Sequence, residues 1–236
     1  MDLNDFKVLS FDCYGTLIDW EAGILSQIQP FLSSHGVDVD NAAILGAFGH
    51  AESMEEADDP GELYPEILRR VHSRLASYWG LDADASAADE FGNSVALWPA
   101  FSDAQEALAE LQENYRLVIL SNVDRASFAR SEQRLGVSFD AVYTAEDIGS
   151  YKPDPRNFAY LLERERESGF EPAEILHVAQ SIFHDHEPAS AADIATCWIQ
   201  RPSPAGEHGA ARPPDTKPNI DFHFRSLAGL VAAINA

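Results

Sequence analysis

The chain has 236 residues, with 16 Lys and Arg against 39 Asp and Glu, a formal charge of −23. That length suits one or two domains, and 45% hydrophobic with 23% charged residues is the composition of a folded chain, not a disordered one. So acidic a chain lacks the clustered Lys and Arg that nucleic-acid phosphates require, no run approaches the ~18 apolar residues of a membrane span, and two cysteines are too few for a disulfide framework.

The opening residues MDLNDFKVLS carry no apolar stretch of a signal peptide, and Cys13 and Cys197 lie in apolar, strand-like contexts. The expectation is a cytoplasmic protein with reduced thiols and neither a nucleic-acid nor a membrane partner. Taken in chain order, Lys7–Phe11 is the first strand. From about Trp20 to Leu97 only helical patterns occur, such as Ile24/Ile28/Phe31/Leu32 and Leu63/Ile67/Leu68/Val71/Leu75. No Lys or Arg occurs between Lys7 and Arg69, while twelve acids do. The cluster Glu52, Glu55, Glu56, Asp58, Asp59 and Glu62 reads as a solvated helix end and loop.

Pro99 marks the return to a strand–helix rhythm. Ser102–Asn114 reads as a helix opened by a Ser-Asp-Ala-Gln capping box, with Ala104, Leu108 and Leu111 on one face. Strands at Arg116–Leu120, Asp140–Tyr143, Ile175–Ala179 and Thr196–Ile199 alternate with helices at Arg125–Leu135, Asn157–Glu167 and Ala189–Ala195. Their unbroken apolar character implies burial on both faces, hence an α/β fold with a doubly wound, mostly parallel, Rossmann-like sheet. Arg201–Pro218, with five prolines, reads as an extended loop before Ile220–Phe224 and a last helix, Ser226–Ile234. The expected division is a core of residues 1–18 and 99–236 with a helical cap of residues 19–98.

Ligands of open parallel sheets bind beyond the carboxyl ends of the strands. There the chain places Asp12 in FDCYGTLID, Ser121-Asn122, Lys152 (one of only three lysines) and Asp185 in QSIFHDH. Carboxylate, hydroxyl and amide, ammonium and carboxylate can thus converge on one site. Gly15 permits a sharp turn after Asp12 that frees backbone amides for an anion.

The order of these four groups resembles the haloacid dehalogenase superfamily of hydrolases, and FDCYGTLID resembles its nucleophile motif. The resemblance implies that Asp12 is the nucleophile, that Thr16 steadies it, and that Lys152 neutralises charge around it. It further implies that Ser121 and Asn122 bind the substrate's anionic group and that Asp185 is the acid of the last motif. The phosphatases of this fold carry a second Asp two residues after the nucleophile as leaving-group acid. Here that residue is Tyr14, whose phenol (reference pKa ~10) resembles the type II 2-haloacid dehalogenases, whose halide leaves without a proton. A cap without lysine excludes the Schiff-base phosphonatase branch. The chain departs from the dehalogenases in having no arginine before Arg69 to receive halide, with Arg69, Arg125, Trp20 and Trp98 as substitutes. It also has Phe158 (and Tyr160 two further on) where they have Tyr, and Ala179-Gln180-Ser181 in the last motif.

The resemblance therefore implies a hydrolase that displaces halide from a small 2-halocarboxylic acid through an aspartyl ester on Asp12, without a cofactor, with Asp185 activating water. The substrate-binding residues would be Tyr14, Ser121 and Asn122, and relatives suggest a homodimer. One alternative is a magnesium-dependent phosphatase, the metal held by Asp12, the Tyr14 carbonyl and Asp185; Gln180 removes one charge from that set. A second is a lapsed enzyme kept as a binding module. His184 and His186 read as surface residues rather than zinc ligands, and Cys13 as a space-filling residue rather than a thiol nucleophile.

Overall fold

The computed structural model describes all 236 residues. Six strands form one sheet: β1 (Val8–Phe11), β2 (Arg116–Ser121), β3 (Ala141–Thr144), β4 (Ile175–Ala179), β5 (Ala195–Ile199) and β6 (Phe222–Phe224). Their order is β3-β2-β1-β4-β5-β6, and every neighbouring pair is parallel. Leu9, Phe11, Leu117 and Ile119 point into the main core, while Val8, Val118 and Leu120 pack on the opposite face with Phe158 and Leu161. Both faces are covered, which is why these strands read as unbroken apolar runs. Each fully buried Leu, Val or Phe contributes about 1.5–3 kcal/mol of transfer free energy.

Between β1 and β2 the chain forms four helices: α1 (Trp20–Ser34), α2 (Asn41–Asp58), α3 (Tyr64–Tyr78) and α4 (Ala85–Gly92). Asp19, Asp40 and Asp84 cap α1, α2 and α4 by accepting from first-turn amides. The apolar stripes are buried as their spacing predicts, apart from half-buried Phe31 and from Leu63, which is exposed at the N-cap of α3. The two crossings between sheet and helices run side by side: Asp19 N donates to Pro99 O (2.8 Å) and Phe101 N to Leu17 O (2.9 Å). No helix is long and apolar enough to cross a membrane.

The remaining helices are α5 (Ala104–Leu111), α6 (Arg125–Leu135), α7 (Ala145–Ile148), α8 (Arg156–Glu167), α9 (Glu187–Ala191) and α10 (Leu227–Ile234). Three expectations are corrected. The Ser102–Gln105 capping box does not form: the Asp103 carboxylate instead accepts from Arg201 (3.0 Å) and from the Leu227 (2.8 Å) and Ala228 (3.3 Å) amides that open α10. A tertiary partner outcompetes the local cap. The helix expected at Ala189–Ala195 begins earlier, as a π-turn over Ile182–His186 that runs into α9. That turn carries His186 inward, fully buried with Nε2 against the Ala179 carbonyl (3.0 Å), whereas His184 is half-buried.

Candidate active site

Asp12 follows β1, the strand at which the sheet order reverses, so its loop opens into the crevice where parallel sheets take ligands. The Leu17 and Ile18 amides both donate to Cys13 O (2.7 and 2.9 Å), closing a tight turn. Gly15 turns it at φ +96°, where any β-carbon would be strained and would press on Trp20 and Gln180. Thr16 Oγ1 donates to Asp12 Oδ2 (2.7 Å) and accepts from the Gln180 amide (2.9 Å). From beyond β5, Arg201 donates to Thr16 O through Nε (3.2 Å) and Nη2 (2.9 Å). The Asp12 loop is thus tied to β4 and β5 through one threonine.

The other oxygen of Asp12 accepts from Lys152 Nζ (3.0 Å), which also donates to Asp185 Oδ1 (2.6 Å) and Leu120 O (2.9 Å). All three ammonium hydrogens are therefore committed. Burial raises the Asp12 carboxyl above its ordinary value, Lys152 and Thr16 pull it down, and Asp185 adds to the rise. Asp185 goes the other way: against the cost of burial, Lys152 and His177 hold it well below the usual carboxylate range. His177 Nε2 donates to Asp185 Oδ1 (3.0 Å), and its Nδ1 is hydrogen-bonded with Ser10 Oγ (2.7 Å). Ser10 and His177 are register partners on β1 and β4, the polar residues of two otherwise apolar strands. Asp185 Oδ2 is buried without a partner.

At the end of β2, Ser121 Oγ is likewise buried and unpartnered, and the Asn122 and Val123 amides find no acceptor within the protein. The Asn122 side chain is spent on Lys152: Oδ1 accepts from its amide (2.6 Å) and Nδ2 donates to its carbonyl (3.0 Å). Tyr14 lines the site with its hydroxyl on Ser131 Oγ (2.8 Å), and burial raises its pKa well above the ordinary phenol value. Burial likewise raises the Cys13 thiol, and Phe158 lies in the core with its ring edge on His177.

A cavity of about 40 Å³ lies over Asp12, walled on the helical side by Trp20, Glu52, Glu56 and Tyr64. Here the expected solvated acid cluster is corrected. Asp58 is exposed, but Glu52, Glu55 and Glu56 are buried, Glu55 against Arg74. The signal was present: Glu52 and Glu56 continue the α2 stripe Ile44, Leu45, Phe48, so helical period turns them inward. Tyr64 Oη donates to Glu52 Oε1 (2.6 Å), and burial raises Glu52 to about 7. Of the substitutes for a halide-receiving cation, only Trp20 reaches the cavity. Arg69 pairs with Asp89 (2.7 Å) and Glu66, Arg125 pairs with Asp147 and Glu146, and Trp98 Nε1 donates to Ser94 (3.1 Å).

No three His, Cys, Asp or Glu side chains gather as a metal-binding group. A magnesium ion on Asp12 and Asp185 would meet the Lys152 ammonium already bridging them, with an amide, Gln180, close by in place of a further carboxylate. This donor set suits a cation fixed in the chain better than a divalent ion.

Comparison with known proteins gives the family of the chain. The family model for haloacid dehalogenase-like hydrolases matches residues 6–193. The (S)-2-haloacid dehalogenase of Pseudomonas fluorescens is 23% identical over 222 residues, covering 89% of this chain and 91% of that one. The mouse haloacid dehalogenase-like hydrolase domain-containing protein 3 is 24% identical over 213 residues, covering 84% and 83%. The structure of the L-2-haloacid dehalogenase from Xanthobacter autotrophicus with chloropropionic acid covalently bound superposes with a TM-score of 0.80 at 20% identity, over 98% of this chain and 99% of that one. The chain belongs to the haloacid dehalogenase-like hydrolases, enzymes built on this parallel sheet.

Proposed function

We propose that this hydrolase acts as a 2-haloacid dehalogenase, displacing halide from a small 2-halocarboxylic acid beneath a cap formed by residues 19–98. The observation that carries this reading is how Asp12 is held. One oxygen lies on Lys152 and the other on Thr16, in a cavity whose phenols, Tyr14 and Tyr64, are too weak as acids to protonate an alcohol. Relatives named as 2-haloacid dehalogenases support it.

In the first step the substrate carboxylate lies against Ser121 Oγ and the Asn122 and Val123 amides. Asp12 then attacks C2, forming a carbon–oxygen bond as the carbon–halogen bond breaks, and the electron pair leaves with the halide. Lys152 keeps the attacking oxygen oriented. In the second step water attacks the Asp12 ester carbonyl and the acyl–oxygen bond breaks; one proton of that water goes to the leaving alkoxide, giving a 2-hydroxy acid, and the other passes to solvent, leaving Asp12 as the carboxylate. Asp185 Oδ2, unpartnered and buried, accepts a hydrogen bond from that water. Its depressed pKa makes it an orienting group more than a strong base. No step uses a cofactor.

The second reading is a magnesium-dependent phosphatase using Asp12, the Tyr14 carbonyl and Asp185, favoured by the unpartnered Asp185 Oδ2. One assay separates the two: fluoro-, chloro- and bromo-acids beside phosphate monoesters, each with magnesium or chelator. Halide release indifferent to chelator is expected. Phosphate release abolished by chelator, with no halide released, contradicts the proposal.

A further inference from the structure

Glu52 and Glu56 stand one turn apart on α2, about nineteen-twentieths and nine-tenths buried, and both face the cavity over Asp12. Glu52 has the Tyr64 hydroxyl; Glu56 forms no ion pair, and the Asn122 side chain and the Lys152 charge only partly offset its burial. No cation pairs with them: of the arginines lining the adjoining pocket beside Glu56, Arg156 pairs with Asp154 (2.9 Å) and Arg212 with Asp215 (2.9 Å). Arg69 serves Glu66 and Asp89, Arg70 serves Asp59 and Glu62, Arg74 serves Glu55 and Asp58, and Lys152 has no hydrogen to spare. Burial lowers His184 to about 4, so it is neutral near pH 7. Burial lifts Glu52 to about 7, and burial together with Glu52 lifts Glu56 well above its ordinary value. Buried carboxyls without a cation keep a proton in its place.

We infer that the Glu52–Glu56 pair is the seat of a primary ammonium group on the substrate, so that the substrate is a small zwitterion. Its carboxylate meets Ser121 Oγ and the Asn122 and Val123 amides, and its ammonium lies between the two glutamates. The charge balance favours this. Asp12 and Asp185 already outweigh Lys152, so a bare carboxylate adds negative charge to an acidic chamber, whereas a zwitterion adds none. The ammonium replaces the retained proton, which passes to solvent: the pair loses a hydrogen ion and gains the ammonium. The other groups that set this titration are Tyr64 from α3, Tyr14 and Asp12 from the β1 loop, Asn122 after β2, Tyr151 and Lys152 from the loop before α8, Arg156 at the start of α8, His184 and Asp185 after β4, and Arg212 from the proline-rich loop. Only the placing of a reactive carbon over Asp12 rests on the dehalogenase reading.

The test is calorimetric titration of the full chain at neutral pH with β-alanine, ethylammonium, propionate and potassium, in two buffers of different ionisation enthalpy. β-Alanine is expected to bind at least tenfold tighter than propionate, with proton release. Glu56→Gln and Glu52→Gln are expected to weaken β-alanine at least tenfold while propionate binding holds or improves. Equal binding of propionate and β-alanine, potassium competing as well as ethylammonium, β-alanine binding unchanged in folded Glu56→Gln, or no binding by any probe would each overturn the ammonium seat. Halide release from 2-chloropropionate and from 3-amino-2-chloropropionate, measured separately, reads the dehalogenase proposal, release from neither counting against it. Release without β-alanine binding removes the seat alone, and binding without release removes the dehalogenase reading alone.

Discussion

The Asn122 side chain grips the backbone of Lys152 from both sides, accepting from its amide at 2.6 Å and donating to its carbonyl at 3.0 Å. The end of β2 and the loop before α8, thirty residues apart, are joined there, and the clamp fixes where the buried ammonium reaches Asp12. Asn122 acts here as a positioning residue. Asn122→Ala removes two hydrogen bonds worth about 0.5–1.5 kcal/mol each. Turnover is expected to fall roughly ten- to a hundredfold, since each tenfold is about 1.4 kcal/mol of barrier. Steady-state kinetics should show the loss in kcat, with KM little changed. A loss confined to KM would instead mark Asn122 as a substrate contact.

Lys152 is the only cation between two buried carboxylates. Lys152→Met strands both, and breaking a buried pair from one side costs about 3–5 kcal/mol. Urea denaturation should register that loss, and Lys152→Met with Asp185→Asn should recover part of it by removing one orphaned charge. A double variant as unstable as the sum of its parts would show that the two side chains do not act together.

Glu52 gives stability an unusual pH dependence. Its folded-state pKa is raised to about 7, above the ~4.3 of an unfolded glutamate. Such a group contributes stability that is fully present below the unfolded value and is lost as pH rises through the folded one. Between pH 5 and 8 the wild type should therefore lose on the order of 1–3 kcal/mol that Glu52→Gln retains. Parallel pH profiles for the two proteins, from denaturant midpoints, would contradict this.

Tyr14 donates to or accepts from Ser131 with its hydroxyl, and the proposed reaction gives it no part in protonating a leaving group. Tyr14→Phe is expected to cost about 1 kcal/mol of stability and to leave halide release within a few-fold of wild type. A hundredfold fall in turnover by a stably folded Tyr14→Phe would make the phenol the missing acid.

The sheet was legible because parallel strands covered on both faces leave unbroken apolar runs, and Asp12, Lys152 and Asp185 were legible because strand ends are where such sheets place chemistry. Glu52 and Glu56 were missed because charge was allowed to overrule helical period, although the stripe from Ile44 through Phe48 already pointed both residues inward. Ser10 and His177 carry no signal alone; they gain meaning only when register sets β1 beside β4. The seating of the proline-rich loop is tertiary throughout. Ala210 N donates to Glu21 (2.6 Å) and Gln180 Nε2 to His208 O (3.1 Å), and a β-carbon on Gly49 would fall on the Ala210 carbonyl. Nothing in local spacing announces those contacts.

The covalent role of Asp12 is tested most directly by isotope. Multiple turnovers of a 2-halo acid in ¹⁸O water, followed by mass spectrometry of the peptide containing residue 12, should show heavy oxygen in that carboxylate, because water attacks the ester at its carbonyl carbon. The first turnover, with enzyme in excess, should deliver product carrying the ordinary oxygen of the protein. Product labelled from the first turnover, with an unlabelled Asp12 peptide, would mean that water attacks the substrate directly and that no bond to Asp12 is made.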